Sequence, residues 1–151
     1  MANKFLLELA KVTREGETES VHTGLKDGLN ELVDAQKNLE TAKLGLSVGD
    51  YSGSFSMAYL AARKSVQSVL TAHGKRVKAV GNSHTVFVNV TKISTFESEA
   101  WVRLDWMRSV RNNADYPKVN FEKVNSVDCQ EAIESAELML KDARRILDGL
   151  G

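Results

Sequence analysis

Long stretches without helix-breaking residues constrain the fold of this chain most. Its 151 residues include ten glycines and a single proline, Pro117. Because proline removes a backbone donor and interrupts helices, its near absence permits long helices. Along these stretches apolar residues recur at steps of three and four, which is the period of an amphipathic helix. The sequence therefore predicts an all-α fold.

The spacing of the apolar residues predicts five helices beyond residue 20. Four are long, at about residues 26–47, 54–73, 98–113 and 125–147, and a shorter one begins at Ser83. In the short helix the segment 85–90 is rich in β-branched residues and competes as a strand. The segment 75–82 is expected to be a loop. Long helices with short connections predict an up-and-down bundle of four helices plus a short extra helix.

The first twenty residues differ in character from the rest. A short amphipathic piece around Leu6 to Val12 precedes the polar run 14–20, which is typical of a linker. About ten residues are marginal as an isolated helix, so this piece should pack on the body or on a neighbour. We therefore predict an N-terminal appendage and linker at 1–20 and a helical bundle domain at 21–151.

The composition indicates where the protein is expected to be found and which cofactors it is expected to lack. The chain is 42% hydrophobic and 26% charged, as expected of a soluble globular protein. No segment approaches the ~18 consecutive apolar residues of a membrane span, and the N-terminus does not resemble a signal peptide. Cys129 is the only cysteine, and no Cys/His cluster has metal-ligand spacing. We expect a cytoplasmic protein without a metal, a cofactor or a membrane partner.

Charge is distributed unevenly along a chain whose formal net charge is zero. No acidic residue occurs between residues 51 and 96, whereas this segment contains Arg63, Lys64, Lys75, Arg76, Lys78 and Lys92 together with His73 and His84. Such a positive segment suits a phosphate-bearing partner. Alternatively, it faces acidic helices of the same bundle or of a second subunit. The candidate phosphate-binding residues are Lys75, Arg76, Lys78, His84 and, on a later helix, Arg108.

A dense polar cluster closes the helix that carries Trp101, Leu104 and Met107. Its sequence is Arg111-Asn112-Asn113-Ala114-Asp115-Tyr116-Pro117. Because the residue before a proline is disfavoured in helical geometry, the cluster should lie across a helix C-terminus. Polar density of this kind is unusual for residues that only pack a core.

The cluster resembles the signature of HEPN domains, which is an arginine, a polar residue and, after a few residues, a histidine. Here Tyr116 stands in the histidine position. Further elements are similar to small prokaryotic HEPN proteins: Gly49-Asp50-Tyr51 with Ser56-Met57-Ala58-Tyr59, and His73-Gly74-Lys75-Arg76 followed by Gly81-Asn82-Ser83-His84. The Ala-Asp-Tyr ending resembles an uncharacterised subgroup. The resemblance covers residues 25–147.

The resemblance implies a homodimer whose two motifs face each other across a shared cleft. Some members of the family are metal-independent ribonucleases, often toxins paired with a nucleotidyltransferase antitoxin, and others bind nucleotides or are inactive. On this basis the candidate catalytic residues are Arg111, Asn112, Asp115 and Tyr116. Arg111 would steady charge on a phosphate, and Arg108 lies on the same helix face.

Tyr116, in the histidine position, makes catalysis less expected than binding. A phenol with an ordinary pKa near ~10 is a poor base at neutral pH, and Asp115 beside Arg111 should be held in its charged form. The alternative is purely structural: Arg111 and Asp115 form a local pair, Asn112 or Asn113 caps the helix, and Tyr116 packs in the core. The sequence thus predicts binding of RNA or nucleotide phosphates with weak or no ribonuclease activity. The alternative function is a silent structural bundle that partners a nucleotidyltransferase.

Overall fold

Six α-helices and one small sheet make up the described part of the chain. The computed structural model describes residues 3–78, 83–97, 99–115 and 123–151, with backbone alone at 113–115. The helices are α1 (Lys4–Val12), α2 (Leu25–Ser47), α3 (Tyr51–Ala72), α4 (Ser83–Ile93), α5 (Ala100–Asp115) and α6 (Ser126–Asp148), and the strands are β1 (Thr18–Ser20) and β2 (Lys75–Val77). The predicted all-α bundle of four long helices and a short extra helix is confirmed.

Side-chain hydrogen bonds cap the N-termini of two of the long helices, α3 and α6. Asp50 Oδ1 accepts from the backbone N–H of Gly53 at 3.0 Å, which caps α3. Asn125 Oδ1 accepts from the N–H of Asp128 at 2.9 Å, and Asp128 Oδ2 accepts from the N–H of Asn125 at 3.2 Å. Each bond satisfies a donor that the first helical turn leaves without an intrahelical partner. Both helices therefore start where their sequences provide a cap.

Helix α3 lies at the centre of the bundle and packs against α2, α4, α5, α6 and β2. Small side chains dominate its buried surface and let the neighbouring helices approach closely: Ser54, Ala58, Ala61, Ala62, Ser65 and Ser68. The buried serine hydroxyls donate to backbone carbonyls, as that of Ser54 does to Ala42 at 2.7 Å. Such bonds offset the cost of burying a hydroxyl group. The core is thus formed around one helix.

The N-terminal helix α1 packs against α4. The ring of Phe5 stacks on that of His73, with ring centroids 4.2 Å apart, and Asn3 Nδ2 lies 3.0 Å from His73 Nδ1. Asn89 Nδ2 of α4 donates to the carbonyl of Val12 at 3.1 Å. Burial lowers the pKa of His73, which favours the neutral imidazole that can accept from an amide. The predicted packing of the short helix on the body is confirmed.

Two predicted connections were wrong in part, because each contains a strand. The last three residues of the predicted linker 14–20 form β1, and the predicted loop 75–82 begins with β2. The strands are antiparallel, with Thr18 opposite Val77, and each is too short for alternation of side chains to be visible in the sequence. Gly74, with a φ of 72°, allows the chain to turn from α3 into β2. The division of the chain at residue 20 stays a prediction.

The β-branched segment 85–90 lies within helix α4, as predicted. Val86, Phe87 and Val90 are buried and fall on one face at helical spacing. Their packing therefore outweighs the weak intrinsic helix propensity of valine. Among the described helices, none combines the length and the apolar composition needed to cross a bilayer.

Replacing Gly28 with alanine should destabilise the bundle. A Cβ atom there would lie 2.7 Å from the backbone oxygen of Ser68, so α2 and α3 would have to separate. Alanine is favoured over glycine within a helix by ~1 kcal/mol, yet we expect a net loss of about 1–3 kcal/mol in the free energy of unfolding, because overpacking costs more. Chemical denaturation measures this loss. Gly149→Ala is the control, since its nearest atom would lie at 3.4 Å; equal stability of the two variants would contradict the close approach.

Candidate functional site

An open groove of about 400 Å³ lies between α3, the start of α4 and the end of α5. We call it the arginine groove, after the residues that contribute most of its charge. Its lining residues are Tyr59, Arg63, Ser83, His84, Thr85, Arg108, Arg111 and Asn112. The groove therefore brings together side chains from three helices.

Arg63 of α3 is held between two aromatic rings. Its guanidinium carbon lies 5.7 Å from the centroid of the Tyr59 ring and 5.1 Å from that of Phe87. Both distances fall within the range of cation–π attraction. Nη2 donates to Ser83 Oγ at 3.5 Å, and the buried Nε has no hydrogen-bond partner among the described residues. The rings thus fix the position of a guanidinium that retains donor capacity.

Helix α5 places Arg108 and Arg111 on one face, because residues three apart are neighbours on a helix. Arg111 is half-buried, with its guanidinium carbon 5.4 Å from the centroid of the Tyr59 ring, whereas Arg108 is exposed. Asn112 is also exposed at the edge of the groove. Two guanidiniums, those of Arg63 and Arg111, therefore contact the same ring from different helices.

Tyr59 forms the floor of the groove, where it is 4% exposed. Burial raises the pKa of its phenol, while the charges of Arg63, Arg111 and Arg108 act in the opposite direction. The negative charge of Asp105 raises the pKa of Tyr59 to a smaller extent. The raised pKa further favours the neutral phenol, whose hydroxyl is a hydrogen-bond donor.

His84 occupies the side of the groove formed by the start of α4. Its Nε2 lies 2.6 Å from Asp105 Oδ1 of α5, within the range of a charge-assisted hydrogen bond. The side chain of His84 is 16% exposed and that of Asp105 is 61% exposed. The carboxylate therefore orients the imidazole from the solvent side, while the ring faces the groove that it lines.

The described part of the groove carries more positive than negative charge. Arg63, Arg108 and Arg111 all line it, and the Asp105 carboxylate lies beside it on His84. Like charges within one groove repel each other, and a bound anion would relieve this repulsion. The arrangement is suited to an anion with several oxygen acceptors, since each guanidinium presents a planar fork of donors.

The structure brings some of the sequence-predicted site residues together and separates others. Arg108, Arg111, Asn112 and His84 all line the arginine groove. Tyr116 and the side chain of Asp115 lie outside the described residues.

The predicted basic residues of the 75–78 segment do not line this groove. Lys75 Nζ donates to Ser20 Oγ at 3.0 Å, and Arg76 pairs with Glu19 of the facing strand. Lys78 is exposed just after β2. Pairing of β1 with β2 thus directs two of these cations towards the N-terminal segment.

Sequence reasoning missed Arg63 and Tyr59 as groove residues. The sequence indicates Arg63 only as part of the acid-free segment, and Tyr59 only as part of the stretch from Ser56 that resembles small HEPN proteins. Their spacing of four residues on α3 places them on one face, but the aromatic contact with Arg111 depends on how α3 and α5 pack. That contact was not visible in the sequence.

A comparison with known protein families matches residues 32–147 to the HEPN domain. The chain belongs to the HEPN family. HEPN domains commonly dimerise, and membership points in general to functions that involve nucleotides, RNA or toxin–antitoxin pairs. A search of curated proteins gives no significant match. Within the described residues, no group of histidine, cysteine and acidic side chains is arranged to hold a metal ion.

Removing a groove arginine should raise the pKa of Tyr59 further. Arg63 and Arg111 both stabilise the tyrosinate form, so we expect an upward shift in Arg63→Gln and in Arg111→Gln. Ultraviolet absorbance of tyrosinate, titrated with base, measures it, and subtraction of the Tyr59→Phe spectrum assigns the signal. Lys43→Gln, on the distant α2 surface, is the control. An unchanged titration in both groove variants would contradict the described contacts.

Proposed function

We propose that the arginine groove binds phosphate groups of RNA or of a nucleotide, and that the protein acts as a cytoplasmic homodimer. The observation that carries this proposal is the convergence of Arg63, Arg108 and Arg111, from two helices, on one open groove. Guanidinium groups bind phosphate oxygens through paired, charge-assisted hydrogen bonds. Family membership supports the same ligand class.

The environment of Arg63 favours a binding site over a purely structural role. Burying a cation is costly unless it is paired, and in structural clusters the partner is usually a carboxylate. Arg63 is half-buried, and among the described residues no carboxylate pairs with it; its contacts are the rings of Tyr59 and Phe87 and the hydroxyl of Ser83. An incoming phosphate would supply the missing negative charge. The contacts of Arg63 therefore support ligand binding over the alternative of a silent bundle.

The biological setting that we propose is a toxin–antitoxin or defence system. Family membership points to such systems only in general. A nucleotidyltransferase partner would be consistent with it, and co-purification of the chain with the product of a neighbouring gene of that type tests this part of the proposal.

Binding should depend on salt and on the groove arginines. A labelled single-stranded RNA oligonucleotide, followed by fluorescence anisotropy, serves as the probe, with ATP as a competitor that separates nucleotide from RNA binding. Arg111→Gln should weaken binding about ten-fold or more, because a hydrogen bond to a charged group contributes about 1.5–3 kcal/mol. The salt dependence should also become less steep in this variant, by ~0.7 for each single-strand phosphate that is no longer neutralised.

A matched control tests the other basic region. The triple variant Lys75→Gln/Arg76→Gln/Lys78→Gln removes as many charges as Arg63→Gln/Arg108→Gln/Arg111→Gln. We expect the first to weaken binding much less, because Lys75 and Arg76 already contact Ser20 and Glu19. Equal weakening would move the binding site to β2, and binding insensitive to salt and to both variants would contradict a phosphate site.

Dimerisation should involve α5. This helix carries Arg108 and Arg111, and it also exposes Trp101 and Val102 at 40% and 42%. We expect a dimer by size-exclusion chromatography with light scattering, and a shift towards monomer in Val102→Glu because the substitution buries a charge at the interface. Leu44→Glu is the control, since Leu44 is exposed on α2. A strict monomer at micromolar concentrations would contradict the shared cleft.

A further inference from the structure

A second open pocket, of about 390 Å³, lies between α1, the turn that follows it, and the first residues of β1 and β2, Thr18 and Lys75. We propose that this N-terminal pocket binds a small carboxylate with a short apolar chain, an alkanoate. Its volume is within the range of small-molecule sites. It shares no lining residue with the arginine groove, and its lining residues other than Lys75 precede the HEPN match. The inference is therefore independent of the proposed binding of phosphate.

One face of α1 supplies the apolar wall of the N-terminal pocket. Leu6, Leu9 and Ala10 line it, and their spacing of three and four residues places them on the same side of the helix. Leu9 is buried, Leu6 is half-buried and Ala10 is exposed. At ~1.5 Å of rise per residue, the wall extends about 6 Å along the helix axis from Leu6 to Ala10. It therefore suits a short alkyl chain and would leave the end of a long one in water.

Two cations on the polar side of the pocket have no carboxylate partner among the described residues. Arg14 forms no ion pair there, and the half-buried Lys75 donates to the hydroxyl of Ser20 at 3.0 Å. The nearby carboxylates are engaged elsewhere, since Glu17 accepts from the backbone N–H of Arg14 and Glu19 pairs with an arginine of β2. An anion in the pocket would supply the negative charge that a partly buried cation requires.

Local bonds fix the turn that carries Arg14. The Thr13 hydroxyl donates to the carbonyl of Leu9 at 2.7 Å, and the backbone N–H of Glu17 donates to the carbonyl of Arg14 at 3.1 Å. Between them Gly16 has a φ of 85°, which a residue with a Cβ rarely adopts. The shape of the pocket is therefore set before a ligand enters, which lowers the entropic cost of binding.

The charge of the lining favours a monoanion. Arg14 and Lys75 contribute two positive charges and Glu15 one negative charge, which leaves one net positive charge. A carboxylate matches this charge and accepts a pair of hydrogen bonds from a guanidinium fork. A phosphate monoester carries about −1.5 to −2 at neutral pH, and a free phosphate ion has no apolar part to cover the wall formed by α1. The pocket thus fits a different ligand class from the arginine groove.

Binding of sodium alkanoates to the full chain tests the proposal. In isothermal titration calorimetry with butanoate, hexanoate, octanoate and decanoate, affinity should rise by about four-fold for each added methylene, because each removes more apolar surface from water. The increase should stop once the chain is longer than the wall. Octanamide, the neutral counterpart of octanoate, should bind about ten-fold more weakly or worse, since hydrogen bonds to a charged group are the stronger ones.

Matched variants locate the site. Ala10→Phe should fill the pocket and abolish binding of octanoate without unfolding the protein, because Ala10 is exposed. Leu7→Phe, at an exposed position of α1 outside the pocket, should match the parent. Arg14→Gln should weaken binding by about ten-fold, whereas Lys11→Gln should not, because Lys11 pairs with Glu8 on the exposed surface of α1.

Hydrogen exchange provides a second readout. A ligand that binds only the docked form of α1 stabilises that form, so octanoate should slow amide exchange in α1 of the parent and leave the exchange of Ala10→Phe unchanged. Unaltered exchange in the parent at saturating octanoate would overturn the assignment of binding to this pocket.

The outcomes separate a defined pocket from adsorption to the surface. Absence of binding by every alkanoate at millimolar concentration would overturn the site. Affinity that rises through decanoate without a plateau, and equally in Ala10→Phe, would indicate adsorption and overturn it as well. Equal binding of octanamide, or displacement of octanoate by inorganic phosphate, would overturn the assignment of a carboxylate ligand. None of these results bears on RNA or nucleotide binding, which is tested at the arginine groove.

Discussion

The burial of α3 by five neighbouring elements is the constraint on which the rest of this structure depends. A helix can be surrounded in this way only if its side chains are small where neighbours approach, and α3 provides alanines and serines at those positions. Gly28 of α2 meets the same requirement from the opposite side. With the other faces covered, the strip that carries Tyr59 and Arg63 is where α3 borders an open groove.

This arrangement explains how the protein can hold several guanidiniums close together. Repulsion between like charges and the cost of desolvation both oppose it. Aromatic rings offset part of that cost, since Tyr59 lies beside both Arg63 and Arg111, and Phe87 also lies beside Arg63. The aromatic contacts thus hold two of these cations in place, as the proposed binding of phosphate requires.

Much of the fold could be predicted from the sequence, because apolar periodicity and caps are local signals. The start of α6 after Asn125 follows from a side-chain acceptor beside the first turn. Helix α3 begins at Tyr51, three residues before the predicted start, because Asp50 caps it. The strands β1 and β2 could not be predicted, since three-residue pairings depend on the partner strand rather than on local pattern. Tertiary packing also decided that the β-branched segment of α4 is helical.

The residues of the candidate site also differ in how far the sequence could predict their positions. Arg108 and Arg111 are visible as a pair because they are three residues apart on one helix. His84 was selected with Lys75 and Arg76 from one basic segment, yet the structure separates it from them: they face β1, and it contacts Asp105. A charge run along the chain does not specify a surface, because each element turns its residues towards different neighbours.

The N-terminal helix α1 helps to hold α4, one of the helices that line the groove. Helix α1 lies outside the match to the HEPN domain, which begins at residue 32. Helix α1 packs on α4 and bonds to it through Asn89, while Asn3 and Phe5 hold His73 at the end of α3. Helix α4 is therefore bound on one side by α1 and on the other by α5, where His84 meets Asp105. Because the position of His84 depends on how α4 is held, residues outside the matched domain contribute to the geometry of the groove.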